Sequence, residues 1–168
     1  MPPLFGIVRA SHVPTTLRTS SLSLLAECEC THPLSLLPYA IDLSEAMIDL
    51  LQTEGVPTSH RPRVHDQSED KEDDQPTPTM DSHPTFTNSK FPPFRRAALH
   101  FLSLLIRETT KHMYDTAFGA SPLPDTQMKR ARATLAYLAY TDEDMVVRVM
   151  AREAGEGLAQ LGRAMMGI

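Results

Sequence analysis

Twenty-one consecutive residues, Phe94 to Tyr114 (FRRAALHFLSLLIRETTKHMY), run without a glycine or proline in a chain that holds 14 prolines. This stretch constrains the fold more than any other. Ala98, Phe101, Leu102, Leu105, Thr109 and Met113 recur at helical spacing and share one face. A helix of this length spans roughly 30 Å, the width of a small domain. Pro92 and Pro93 end whatever precedes it and suit the start of a helix. So apolar a helix needs partners, and the other segments supply them.

With 168 residues the chain has room for one domain. Tryptophan is absent, β-branched runs are scarce, and no useful stretch alternates apolar with polar residues, so an all-α fold is expected. Leu, Ala, Met and Arg dominate the periodic segments and favour helix. Residues 1–12 show no periodicity and are read as irregular. From Val13, the residues Leu17, Leu24 and Cys28, with Leu25 alongside, predict a first helix that the THP of residues 31–33 breaks. A second helix is expected over Leu36 to Thr53, with Ser35 as cap and Pro38 in its first turn. Its inward stripe is Ile41, Met47, Ile48 and Leu51, and Gly55 and Pro57 stop it. These two helices, within residues 13–54, are expected to pack as a hairpin.

Residues 55–92 change character: proline, serine, threonine and acids replace apolar residues, and such a segment cannot bury enough surface to offset its ordering entropy. It is expected to be a disordered insert. Within it, DQSEDKEDD at 66–74 carries a net charge of −5, equal to that of the whole chain, while residues 90–132 hold eight Lys or Arg against three acids. These blocks are read chiefly as solvated faces. After the long helix, residues 118–124 form a turn. A fourth helix is expected over Thr126 to Tyr140 with Met128, Ala131, Leu135 and Leu138 inward. Thr141 then caps a last helix carrying Met150, Ala154, Leu158, Leu161 and Met165 on one face. The total is about five helices in stacked hairpins, the logic of an α-solenoid. The domain limits are 13–54 for the first hairpin and 93–166 for the C-terminal helices.

Catalytic chemistry finds no foothold. Cys28, Cys30 and His32 offer three soft ligands, but a closed zinc site needs four, usually in two separated pairs, and no second pair exists. The seven histidines are scattered, with no phosphate loop and no nucleophile elbow. No enzyme activity and no cofactor are expected. Arg95, Arg96, Lys129, Arg130 and Arg132 could form a basic face. Without interleaved aromatics, and at a pI near 5.8, it favours an acidic protein segment over nucleic acid. Alternatively Arg95 and Arg148 pair with Asp142 or Asp144 between helical repeats. The candidate contact or inter-repeat residues are therefore Arg95, Arg96, Arg130, Arg132, Asp142 and Arg148. No apolar run reaches the ~18 residues that span a bilayer. Residues 1–26 contain Arg9, Arg18, many hydroxyls and no acid, the composition of a mitochondrial transit peptide, but their leucines are better used as core.

LRTSSLSLLAEC, LLPYAIDLSEAMIDLLQTE, FRRAALHFLSLLIRE and YLAYTDEDMVVRVMAREAGEGLAQL together resemble the C-terminal HEAT-type domain of the RNA polymerase II assembly factor family, related to transport and Golgi organisation protein six, in a fungal form. The most specific part is Arg95–Ala98 (RRAA) set against Thr141–Arg148 (TDEDMVVR). The resemblance implies a HEAT/armadillo-like α-solenoid, a fragment or shortened form of a longer chain. It implies a cytoplasmic adaptor, able to shuttle to the nucleus, in the assembly and nuclear import of RNA polymerase II. Its expected partners are polymerase subunits and transport or assembly factors, and self-association through an uncapped repeat face is a further expectation. The alternative is a binding module whose recognition element is the acidic stretch 66–74.

Overall fold

The long apolar helix lies at the centre of the protein. In the computed structural model it runs over Pro92–Asp115, starting two residues earlier than expected because Pro92 and Pro93 fit its first turn. It buries Phe94, Ala98, Leu99, Phe101, Leu102, Leu104, Leu105 and Ile106. Fully burying each of the Phe, Leu and Ile side chains contributes about 1.5–3 kcal/mol. The structure describes residues 2–55, 91–115 and 123–166. Residues 56–90 of the expected disordered insert and most of the turn expected at 118–124 lie outside the described residues, while Gly55 and Pro92, at the limits expected for that insert, are helical.

Among the described residues the fold is all-helical. The helices are α1 (Pro2–Arg9), α2 (Thr15–Thr31), α3 (Ala40–Gly55), α4 (Pro92–Asp115), α5 (Asp125–Thr141) and α6 (Met145–Met166). Two 3-10 turns, Pro33–Ser35 and Leu37–Tyr39, join α2 to α3. The chain thus forms a helix where residues 1–12 were expected to be irregular. Eight residues hold too few turns to show a period, yet Val8 is fully buried and Leu4 packs on the core. Its two N-terminal prolines occupy the turn that needs no amide donors, and Arg9 lies in the last turn, where the helix dipole favours a cation.

Packing partners correct a second expectation. The main neighbours of α2 are α1 and α4, and those of α3 are α4 and α5. Residues 13–54 are therefore not a hairpin of their own. The antiparallel pairs are α1/α2, α3/α4 and α5/α6, and the stretch 56–90 connects the two helices of the middle pair rather than separating pairs. Helices two apart in sequence run parallel. Arg18 at the start of α2 lies 4.3 Å from the ring of Phe94 at the start of α4. Gln127 and Thr134 of α5 bond Ile41 and Gln52 of α3 in the same order. In α4 and α6, Arg96 meets Asp144, and Ile106 lies beside Gly157. Two layers result, α2/α4/α6 and α1/α3/α5. The stack is tight at Gly55, where an added Cβ would lie 2.3 Å from Leu138 Cδ2.

Face assignments are legible in proportion to how apolar each helix is. The stripes predicted for α4, α5 and α6 point inward, Met113, Met150 and Met165 being partly buried at their rims. In α2 the expected stripe faces the wrong way. Leu22, Leu25, Ala26 and Glu29 are buried, while Leu17 and Leu24 are 57% and 58% exposed. Leucines surround this helix, and its Ser and Thr hydroxyls bond backward to backbone carbonyls, as Ser21 Oγ does to Leu17 at 2.9 Å. Neither face is therefore strongly polar, and contact with α1 and α4 decides. In α3, Ile41 is exposed while Met47, Ile48 and Leu51 are buried, and Pro38 falls in a 3-10 turn before the helix.

Candidate functional site

Arg95 and Arg96 are neighbours on the first turns of α4, and they reach two acids in the turn from α5 to α6. Arg95 Nη2 donates to Asp142 Oδ1 at 2.9 Å, and Arg95 Nε lies 2.8 Å from Asp142 Oδ2. Both side chains are buried. Arg96 engages Asp144 through Nη2 on Oδ2 and through Nε on Oδ1 at 3.3 Å. The carboxylates also shape the turn. Asp142 closes α5, its backbone N–H donating to Leu138, and its Oδ1 accepts the N–H of Asp144 at 2.9 Å. Asp144 Oδ1 accepts the N–H of Val147 at 2.9 Å and so caps α6.

Asp144, not Thr141, is thus the cap. Thr141 is the last residue of α5, and its hydroxyl bonds back to Tyr137 at 2.8 Å. Hydrogen bonding from Arg96, then from the Val147 amide, holds the Asp144 carboxyl below its ordinary range. The double Arg–Asp clamp fixes the α5–α6 corner on the end of α4.

The expected basic face is dispersed. Arg130 turns to α3, where Nη2 meets Asp49 Oδ1 at 2.5 Å and Gln52 Oε1 at 3.0 Å, with Glu45 at 3.7 Å. Arg132 runs over Gly162 of α6, its Nη2 lying 2.8 Å from where a Cβ there would be. Lys129 is exposed, and Arg148 is half-buried with no ion pair among the described residues. Arg95, Arg96, Asp142 and Arg130 are therefore engaged between helices. Arg95 pairs with Asp142 as one expected option had it, but the partner of Asp144 is Arg96 rather than Arg148.

What the clamp leaves open is apolar. Tyr140 is 81% exposed and Met145 70%, with Val146 and Val149 also exposed on the same corner. Beside them α5 and α6 enclose an open groove of about 430 Å³, lined by Ala136, Ala139, Tyr140, Ala151, Gly155 and Ala159 among others, with Arg132, Arg152 and Glu156 at its rim. Sequence reasoning did not single out these apolar contact candidates. A signal existed: once Met150, Ala154, Leu158 and Leu161 fix the inward face of α6, Met145 and Val149 must face out.

No family model, curated protein or solved structure matches this chain. The site is therefore read from its own geometry. Cys28 is half-buried with Sγ 3.8 Å from Ser35 Oγ, and Cys30 is exposed. Among the described residues no three His, Cys, Asp or Glu side chains converge as metal ligands, and no helix is long and apolar enough to cross a membrane.

Proposed function

We propose that this chain is a non-catalytic adaptor of HEAT-like α-solenoid type that works by protein–protein contact, in the assembly and nuclear import of RNA polymerase II. The observation that carries the adaptor reading is the rigid apolar corner: Tyr140, Met145, Val146 and Val149 stand exposed beside the α5–α6 groove, on a turn held by two Arg–Asp pairs. Exposed apolar residues on a locked support favour binding, because little ordering entropy is lost on contact. The parallel stacking of helices two apart supports the solenoid reading. The polymerase role rests on the resemblance of Arg95–Ala98 set against Thr141–Arg148, and cytoplasmic residence follows from it. Exposed Leu17 and Leu24 on α2 form the uncapped face assigned to self-association.

The test is affinity capture of the tagged chain from fungal extract with mass spectrometry. Polymerase subunits are expected above background with the natural chain. They should be lost with Tyr140→Glu plus Val149→Glu, at unchanged helicity by circular dichroism. Equal recovery from both chains would overturn the corner as the contact. Absence of polymerase subunits from a folded chain would overturn the polymerase role. Loss of capture on deleting residues 58–90, with the fold kept, would move recognition to the acidic stretch.

A further inference from the structure

Glu29 lies on the buried face of α2 and is 1% exposed. Its Oε2 has no hydrogen-bond partner. A buried ionised carboxylate in that position is strongly disfavoured, since neither water nor a donor compensates the lost hydration. The charge on α4 that acts on it most strongly is of the same sign, Glu108, itself buried. Glu108 has taken the cations of that turn: Oε1 accepts from Arg107 Nε at 2.9 Å and from Lys111 Nζ at 2.8 Å.

The groups around this point are few. On α4 the ionisable residues at this level are Arg107, Glu108, Lys111 and His112. The Pro33–Ser35 turn carries none. α1 carries Arg9 at the opposite end, beside Asp49 at 3.5 Å. α2 itself adds Glu27 and Cys30, both exposed, and Cys28, half-buried, and the exposed His32 caps its C-terminal end. Burial first, then the charge of Glu108, push the Glu29 carboxyl up from 4.5 to about 7, against a smaller opposing pull from Arg107. Burial also opposes ionisation of Glu108, but hydrogen bonds from Lys111 and Arg107 outweigh it and hold that carboxyl below its ordinary range.

We propose that the junction between the α1/α2 hairpin and α4 is a proton-operated latch, closed while the buried carboxyl of Glu29 carries its proton and loosened when that proton leaves. Both cations are engaged by Glu108, so ionisation of Glu29 would add a second negative charge, without a donor, beside the first. In the closed form Glu29 is neutral and Glu108 holds the charge. Loss of the second proton places unpaired charge among Leu22, Leu25 and Ala26, and separating α2 from α4 lets water reach it. The α3–α6 part of the stack contains no such group among its described residues and stays assembled.

The pH window follows from the raised value. Stability contributed by protonated Glu29 is complete below 4.5, declines as pH rises toward about 7, and is gone above it. A shift of this size corresponds to roughly a 300-fold change in the folded-to-unfolded ratio.

The full chain, Glu29→Gln and the exposed-site control Glu27→Gln are compared by urea denaturation between pH 5 and 8.5, and by hydrogen exchange corrected for its intrinsic pH dependence. The natural chain and the control should lose stability as pH rises, with exchange accelerating in α1 and α2 before α4 to α6. Glu29→Gln should keep a flat profile and protected α2 amides at pH 8. A pH slope in Glu29→Gln equal to that of the natural chain would overturn the latch, as would equal acceleration in all helices. Carbon NMR of the natural chain tests the latch independently, even if the variant misfolds: a Glu29 carboxyl that titrates near 7 supports it, and one that titrates near 4.5 refutes it.

Discussion

The two layers of the stack are joined by different chemistry. Between α2, α4 and α6 the contacts are chiefly apolar, built on Leu22, Leu25, Phe94, Phe101, Leu102, Leu105, Val147, Ala154 and Leu158, with the buried Arg95–Asp142 pair and the part-exposed Arg96–Asp144 pair at one end. Between α3 and α5 they are largely polar and side-chain-specific, buried at Gln127 and Thr134 and exposed at Arg130. Gln52 Nε2 donates to Thr134 Oγ1 at 2.9 Å, Gln127 Nε2 to the Ile41 carbonyl at 2.8 Å, and Arg130 meets Asp49 and Glu45 in pairs whose side chains are more than 40% exposed. The first layer supplies affinity between helices, because apolar area scales with stability. The second supplies register, since each polar contact is satisfied at one axial setting only. An ion pair thus has opposite weight in the two layers, although Arg95 and Arg130 look alike in sequence.

The sharpest way to break this comparison is to orphan the buried pair. Asp142→Ala should destabilise the chain by about 3–5 kcal/mol, because the buried Arg95 guanidinium loses the carboxylate that both its Nε and its Nη2 reach. Urea denaturation reads this, and the double variant Arg95→Met/Asp142→Leu should recover much of the loss. Leu105→Ala, in the same layer, should cost about 2–5 kcal/mol, set by how far α2 and α6 close over the cavity. Asp144→Ala removes the α6 cap and should cost about 0.5–2 kcal/mol. The Asp144 carboxyl is held below its ordinary range, so its contribution is present above about pH 4 and is lost as pH falls through the folded-state value. The α2–α4 junction, with Glu29, should lose stability in the other direction, as pH rises, so an acid and an alkaline limb in the same chain separate the two junctions. Arg130→Ala, in the polar layer, should cost less than about 1 kcal/mol and less still in high salt. Smallest of all, Gly155→Ala should stabilise α6 by about 0.4–1 kcal/mol, since no atom lies within 4 Å of the added Cβ.

Legibility follows the strength of the local signal. Phe94 to Tyr114 can be placed at once because its apolar residues repeat over many turns with no breaker. Met128, Ala131, Leu135 and Leu138 can be placed because Lys129, Arg130 and Arg132 mark the polar side. Leu17 and Leu24 mislead because α2 has no charged outer face to contrast with them; its one arginine, Arg18, bends inward to the Val8 carbonyl at 2.9 Å and to Phe94. The same limit hides the site. Arg95, Arg96 and Asp142 are recognisable as polar residues awaiting partners, and Arg95–Asp142 is one option among several. The pairing of Arg96 with Asp144 depends on the angle at which the α5–α6 turn meets α4, which no residue spacing encodes. Tyr140 and Val149 have no local mark of exposure; they stand out because every inward position of their helices is already filled.

The sequence by itself determined that this protein is helical, where most of its helices break, and which faces of the three C-terminal helices are apolar. Those are local properties, set by a 3.6-residue period and by proline and glycine within a few residues of each break. The tertiary structure alone decided which helices pair. Short-range order fixes a face but not its neighbour, so α2 turned from the helix that follows it to α1 and α4. That choice, made where apolar surface is excluded from water most completely, brought Arg96 to Asp144 and left Glu29 beside a like charge.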